Sequence, residues 1–215
     1  MISSVVLMKT RKEAMVVIFD CDGVMFDSRQ ANRNFYNHIL ARFGYPPMPE
    51  EDVAYVHMHT ADESIRHVFR GTPHTEEALS YRWEVDYNPF IRDMIMEPGL
   101  REILSCLGMS AGLAVATNRS NTIDWVLERH GLTGIFDLVV SSLDVARPKP
   151  HPDPLIKVLD HFEVDGGNAL YVGDSPVDAE TAAAAGVPFV AYKDERLEAD
   201  LHARDLWEVM RIALG

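Results

Sequence analysis

Asp20 and Asp22 flank Cys21 and stand before Gly23, just past the apolar run Val16-Val17-Ile18-Phe19. Two carboxylates beside a buried strand end lose hydration, and something must compensate them. Three more polar clusters follow later apolar runs. They are Thr117-Asn118-Arg119, then Arg147-Pro148-Lys149-Pro150, then Gly173-Asp174-Ser175-Pro176-Val177-Asp178. If those runs are parallel strands, their C-terminal ends meet at one sheet edge, where ligands of α/β proteins bind. Several acids gathered there repel one another unless they share a cation or a proton. A hard divalent ion with oxygen ligands, Mg²⁺, meets that need. Beside it, Asp20 is the nucleophile able to attack phosphorus and form an aspartyl-phosphate. Asp22 is the acid that protonates a leaving alkoxide and then activates water. The Thr117 hydroxyl and Lys149 hold the transferring oxygens, with backbone N–H groups near Asp22 and Asn118.

These residues need strands to place them. Apolar runs at Ala14 to Phe19, Gly112 to Thr117, Phe136 to Ser141, Ala169 to Val172 and Val187 to Tyr192 read as strands covered on both faces. Helical patterns intervene at Leu100 to Leu107, Thr122 to Arg129, Pro154 to Phe162 and Asp178 to Ala185. This alternation predicts an α/β fold: a Rossmann-like, mostly parallel sheet with helices on both faces. Leu201 to Leu214 reads as a terminal helix.

Between the first and second strands the rhythm breaks for about 70 residues, too long for a structureless connection. Phe35, Ile39, Leu40 and Phe43 form a helical stripe, Thr60 to Glu63 is a capping box, and Thr75 opens a last helix reaching about Met94. Residues 25–97 are therefore expected to form an inserted helical cap, and residues 1–24 and 98–215 the core. Seven cap arginines face twelve cap acids, so there is no general basic funnel. Single arginines can still bind a substrate carboxylate, and Arg33 and Arg66 are the candidates, with Asn118 and Arg119 on the core side. His57 and His59, two apart, suit no shared helical face and read as surface or packing residues. Trp83, Trp125 and Trp207 read as packing residues of amphipathic helices.

The 215 residues carry 20 Lys and Arg against 33 Asp and Glu, a formal charge of -13. That argues against nucleic acid as a partner but not against a small anionic substrate, since one metal ion reverses the local potential. Two cysteines give neither a disulfide framework nor a thiolate cluster. Met1 to Lys12 puts an apolar patch before its basic residues, the reverse of a secretory leader. No run is long enough for a membrane span, so a cytoplasmic enzyme is expected, with monomer or homodimer left open.

The string Asp20-Cys21-Asp22-Gly23-Val24, followed in order by the three later clusters, resembles the haloacid dehalogenase (HAD) superfamily. Within it the chain is most similar to the phosphoglycolate phosphatase and beta-phosphoglucomutase branch. The likeness covers the chain after Ala14, the cap included. It implies a HAD-like core, Asp20 as nucleophile, and Asp22 as acid/base that lends the metal its backbone carbonyl. Thr117 takes the place of the phosphate-binding Ser or Thr, and Lys149 that of the family lysine, although Pro148 stands where glycine is common. Asp174 resembles the metal-binding acid, and Asp178 is either a further ligand, often through water, or the partner of Lys149. The implied activity is a Mg²⁺-dependent phosphatase acting on a small phosphorylated substrate such as phosphoglycolate or a sugar phosphate. A sugar-phosphate mutase is the alternative, and a non-catalytic phospholigand-binding protein a weaker one. Dehalogenases lack the second acid, and the cap contains no lysine for a phosphonate-hydrolase Schiff base.

Overall fold

The computed structural model describes residues 15–215. The expectations for Met1 to Lys12 and for Ala14 lie outside the described residues. The chain opens with β1 (Val16–Phe19) and then β2 (Phe26–Asp27). Five helices follow: α1 (Arg29–Arg42), α2 (Glu50–Met58), α3 (Ala61–Val68), α4 (Thr75–Tyr81) and α5 (Asn88–Ile91). β3 (Ile95–Met96) pairs antiparallel with β2, so the helical segment leaves and returns through one two-stranded ribbon. Then come α6 (Leu100–Leu107), β4 (Gly112–Ala116), α7 (Thr122–Arg129), β5 (Leu138–Val140), α8 (Asp153–Phe162) and β6 (Ala169–Gly173). α9 (Pro176–Ala185), β7 (Phe189–Tyr192), β8 (Leu201–Ala203) and α10 (Leu206–Leu214) complete the order.

The main sheet runs β5-β4-β1-β6-β7-β8 with every neighbour parallel. Val16 lies between Gly112 and Ala169, and Phe19 between Val115 and Val172. In that register Asp20, Thr117 and Asp174 leave three adjacent strands at nearly the same height. Successive side chains of a strand face opposite sides. Val17, Phe19, Val115 and Val172 accordingly join one apolar layer with α6, α7 and α10. Val16, Ile18, Ala114 and Tyr171 join the other with α8 and α9. The first layer continues without a break into Ile39, Val53, Val56, Ile65 and Phe69 of the inserted helices.

Two local expectations fail. The stretch predicted as one terminal helix begins as β8, because Leu201 to Ala203 pair with Val190 to Tyr192. Asp205 then caps α10 by accepting a hydrogen bond from the Glu208 N–H. The helix expected from Thr75 to about Met94 is broken after Tyr81. Asp86 turns the chain by accepting from the Asn88 backbone, and Asn88 starts a new short helix with Pro89 in its first turn. Thr75 itself is the first helical residue, with His74 at the cap position. The capping box of α3 forms: the Thr60 hydroxyl accepts from the Glu63 N–H while Glu63 accepts from the Thr60 N–H.

Candidate active site

Gly23 has φ +80, and a Cβ there would lie 1.9 Å from the Asp174 carboxylate. The missing side chain thus lets the turn after β1 approach the end of β6. Asp20, Asp174 and Asp178 each offer one carboxylate oxygen, all within 4.8 Å of one another. Lys149 is buried among them, its Nζ 2.9 Å from Asp20 Oδ1 and 2.7 Å from Asp178 Oδ1. Asp178 is fully engaged: it also accepts from the Tyr171 hydroxyl at 2.6 Å and the Ser175 hydroxyl at 2.6 Å. Of the two roles open to Asp178, the geometry shows the pairing with Lys149.

Burial raises the Asp20 carboxyl above its ordinary range, and Asp178, Asp22 and Asp174 push the same way against the pull of Lys149. Asp174 is raised too, first by burial. Burial opposes the Lys149 charge, yet Asp178 and Asp20 outweigh it and hold the ammonium firmly protonated. The Asp20 Oδ1 atom is buried and accepts no well-aligned hydrogen bond. Three carboxylate oxygens around one gap are the kind of donor set a hard divalent cation takes, so Asp20, Asp174 and Asp178 could hold one.

Asp22 stands apart from that group. Its Oδ1 accepts from Arg119 Nη2 at 2.7 Å and from the Ser28 hydroxyl. Burial alone would raise its pKa, but Arg119, His57 and Ser28 outweigh burial and hold it below the usual carboxylate range. Arg119, itself buried, also donates to the Tyr87 hydroxyl at 3.0 Å and lies 5.4 Å over that ring. It thus ties the inserted helical segment to the sheet edge around Asp22. Asn118 makes a second tie, donating to Met58 O at 3.0 Å at the end of α2 and to Lys149 O at 3.1 Å. Thr117 is buried, and its hydroxyl oxygen accepts from the Arg119 N–H at 3.1 Å.

Asp20, Asp22, Thr117, Asn118, Arg119 and Lys149 line one cavity with about 70 Å³ of space for water centres. Arg33 and Arg66 do not line it. Arg33 pairs with Glu50 and Arg66 with Glu76, 2.7 Å away, both on the surface of the inserted helices. Counting arginines could not show which ones have local carboxylates to satisfy them. Arg82 lines the cavity, although it too has a local carboxylate, Asp62 at 2.6 Å, and its guanidinium lies 3.8 Å above the Trp83 ring. His57, read from its spacing as a packing or surface residue, is buried in the cavity wall 3.8 Å from Asp174. His59 lines it as well and stacks on Tyr55 at 3.8 Å. Trp83 and Trp125 are 51% and 39% exposed and line the cavity rather than fill a core. The sequence signals these cavity residues only through the adjacency of Arg82 and Trp83, and that adjacency has no address without the fold.

A profile described as haloacid dehalogenase-like hydrolase matches residues 17–192. The chain is 29% identical to a putative pyrophosphatase PpaX of Caldanaerobacter subterraneus, over 93% of this chain and 94% of that one. It is 31% identical to a phosphoglycolate phosphatase of Rhodospirillum rubrum, over 81% and 77%. Among solved structures, a HAD-superfamily hydrolase, subfamily IA, variant 1, of Geobacter sulfurreducens superposes with a TM-score of 0.82 at 41% identity. That match covers 93% of this chain and 99% of the other.

Proposed function

The chain belongs to the haloacid dehalogenase-like hydrolase family, and from that premise we propose that it is a Mg²⁺-dependent phosphatase hydrolysing a small phosphomonoester. The observation that carries this reading is the buried Lys149 ammonium between the Asp20 and Asp178 carboxylates, with Asp174 alongside. Asp20 and Asp174, with the backbone carbonyl of Asp22 and with Asp178 within reach, would hold the ion. The ion supplies charge neutralisation for the phosphoryl oxygens.

Asp20 attacks phosphorus, a P–O bond forms to its carboxylate, and the ester P–O bond breaks. Asp22, ionised at rest beside Arg119, takes up a proton from solvent as the substrate enters and delivers it to the departing alkoxide oxygen. Asp22, now a carboxylate, takes a proton from water, whose oxygen attacks the aspartyl-phosphate; phosphate leaves and Asp20 is regenerated. Lys149 pulls Asp20 toward its charged form against burial, a bound cation would complete that ionisation, and Lys149 with the Thr117 hydroxyl takes up charge on the phosphoryl oxygens. Residues 25–97 act as the cap over the 1–24 and 98–215 core, and the Asn118 and Arg119 bonds close it against water.

The test is a Mg²⁺-supplemented panel of phosphomonoesters, scored for free phosphate and for isomerised organic phosphate together. Release of phosphate that vanishes in Asp20→Asn, with the fold kept by circular dichroism, is the expected result. Wild-type release rates in that variant would remove Asp20 as nucleophile, and isomer without free phosphate would make the enzyme a mutase.

A further inference from the structure

His57 sits on α2 of the inserted segment with its side chain 4% exposed, 3.8 Å from Asp174 Oδ2. That distance is beyond hydrogen-bonding reach. No hydrogen-bond partner meets its Nε2. The other ring nitrogen is spoken for, since Nδ1 lies 3.3 Å from Asn32 Nδ2. The Asn32 amide is oriented by its neighbours. Arg119 Nη2 at 3.4 Å and the Tyr87 hydroxyl at 3.5 Å both donate to its Oδ1. An arginine can only donate, so the oxygen of Asn32 must face it and the NH₂ must face His57. Nδ1 is then the acceptor of the neutral ring, and Nε2 carries the hydrogen. Nε2 keeps that hydrogen in the charged ring as well.

The result is a chain of fixed orientations, Arg119 to Asn32 to His57, ending in a buried N–H at the cavity wall without an acceptor. Leaving a buried donor unmade is costly. Asp22 and Asp174 are the acids that face the ring. In the proposed reaction Asp22 serves the leaving group, and His57 lines the same cavity as Asp22.

We propose that His57 is a specificity-determining residue whose Nε2–H donates to an oxygen of the leaving group. The substrate class is then a small phosphomonoester with a carboxylate or hydroxyl oxygen close to the ester linkage. This inference rests on the phosphatase reading above. Nothing in it requires the ring to change its charge.

The test compares three esters of similar size with Mg²⁺-loaded protein: phosphoglycolate, 2-hydroxyethyl phosphate and ethyl phosphate. The last lacks the terminal acceptor. Wild type should favour one or both acceptor-bearing esters in kcat/KM by about 10- to 100-fold, the range for a hydrogen bond to a polar or charged group. His57→Phe keeps a planar ring without the donor, and its preference should collapse to about one. His57→Gln places an amide N–H at similar reach and should restore part of the preference. The carboxylate and hydroxyl arms identify which acceptor is read. A wild-type preference near one, or a preference unchanged in H57F, overturns the proposal.

A second measurement is independent of turnover. Calorimetry should show 3-phosphonopropionate binding tighter than propylphosphonate to wild type, and the difference should be lost in H57F. An equal affinity for the two in wild type would likewise overturn the role of His57. If that binding difference holds while no ester is hydrolysed, the phosphatase reading fails and the role of His57 stands.

Discussion

Arg119 Nη2 lies 2.7 Å from Asp22 Oδ1, across 97 positions of sequence, with both side chains buried. The acid assigned to the proton transfers is therefore held ionised at rest by a residue from the next strand end. Removing one member of such a pair strands the other charge out of water. Arg119→Met is expected to destabilise the fold by about 3 kcal/mol, and Asp22→Asn in the same background should recover about 2 kcal/mol. Urea midpoints of the four proteins in that cycle give the coupling. Strict additivity would mean that the pair contributes nothing of its own.

The acid cluster links stability to pH and to metal. Burial, then Asp178, Asp22 and Asp174 against Lys149, raises the Asp20 carboxyl from its ordinary 3.8 to about 8. A carboxyl whose folded pKa exceeds its unfolded value binds its proton more tightly when folded. Its contribution is full below the unfolded value and is lost as pH rises toward the folded one. The metal-free protein should therefore lose melting temperature across that window, and less so as Asp20→Asn. Mg²⁺ at neutral pH should reverse the loss and displace protons on binding. Melting curves with and without a chelator, and calorimetry in two buffers of different ionisation heat, read both effects. Mg²⁺ uptake with no proton release near pH 6 would count against this account.

Tyr171 supports the site from beneath the sheet edge. Its hydroxyl donates to Asp178 Oδ1 at 2.6 Å and accepts from Lys149 at 3.0 Å. Tyr171→Phe keeps the buried ring, and it should lower stability by about 2 kcal/mol through the lost bonds to charged groups. With Lys149 less firmly placed, kcat should fall about tenfold while KM changes little. A change confined to KM would show that Tyr171 does not position the lysine.

Much of the core was legible in the chain itself. Apolar runs of strand length mark β1, β4 and β6 because strands buried on both faces must be apolar throughout. Asp20, Thr117 and Asp174 follow those runs, so a parallel sheet had to bring them to one edge. β8 was missed because three residues with two exposed give neither an apolar run nor a clear alternation. Its pairing with β7 decides it.

The inserted helices were legible as helices but not as a wall. Periodicity tells which face of α1 or α3 is apolar; it does not tell what that face meets. Arg33 and Arg66 were read as substrate ligands, yet Glu50 and Glu76 neutralise them on the surface. The identity and order of the strand-end residues determined the acids, the lysine and the hydroxyl, since a strand's direction and length are local consequences of its side chains. Which histidine, arginine and tryptophans line the cavity beside those acids was decided only by the docking of the helices on the sheet. That docking depends on contacts between residues far apart in the chain, and no local pattern encodes them.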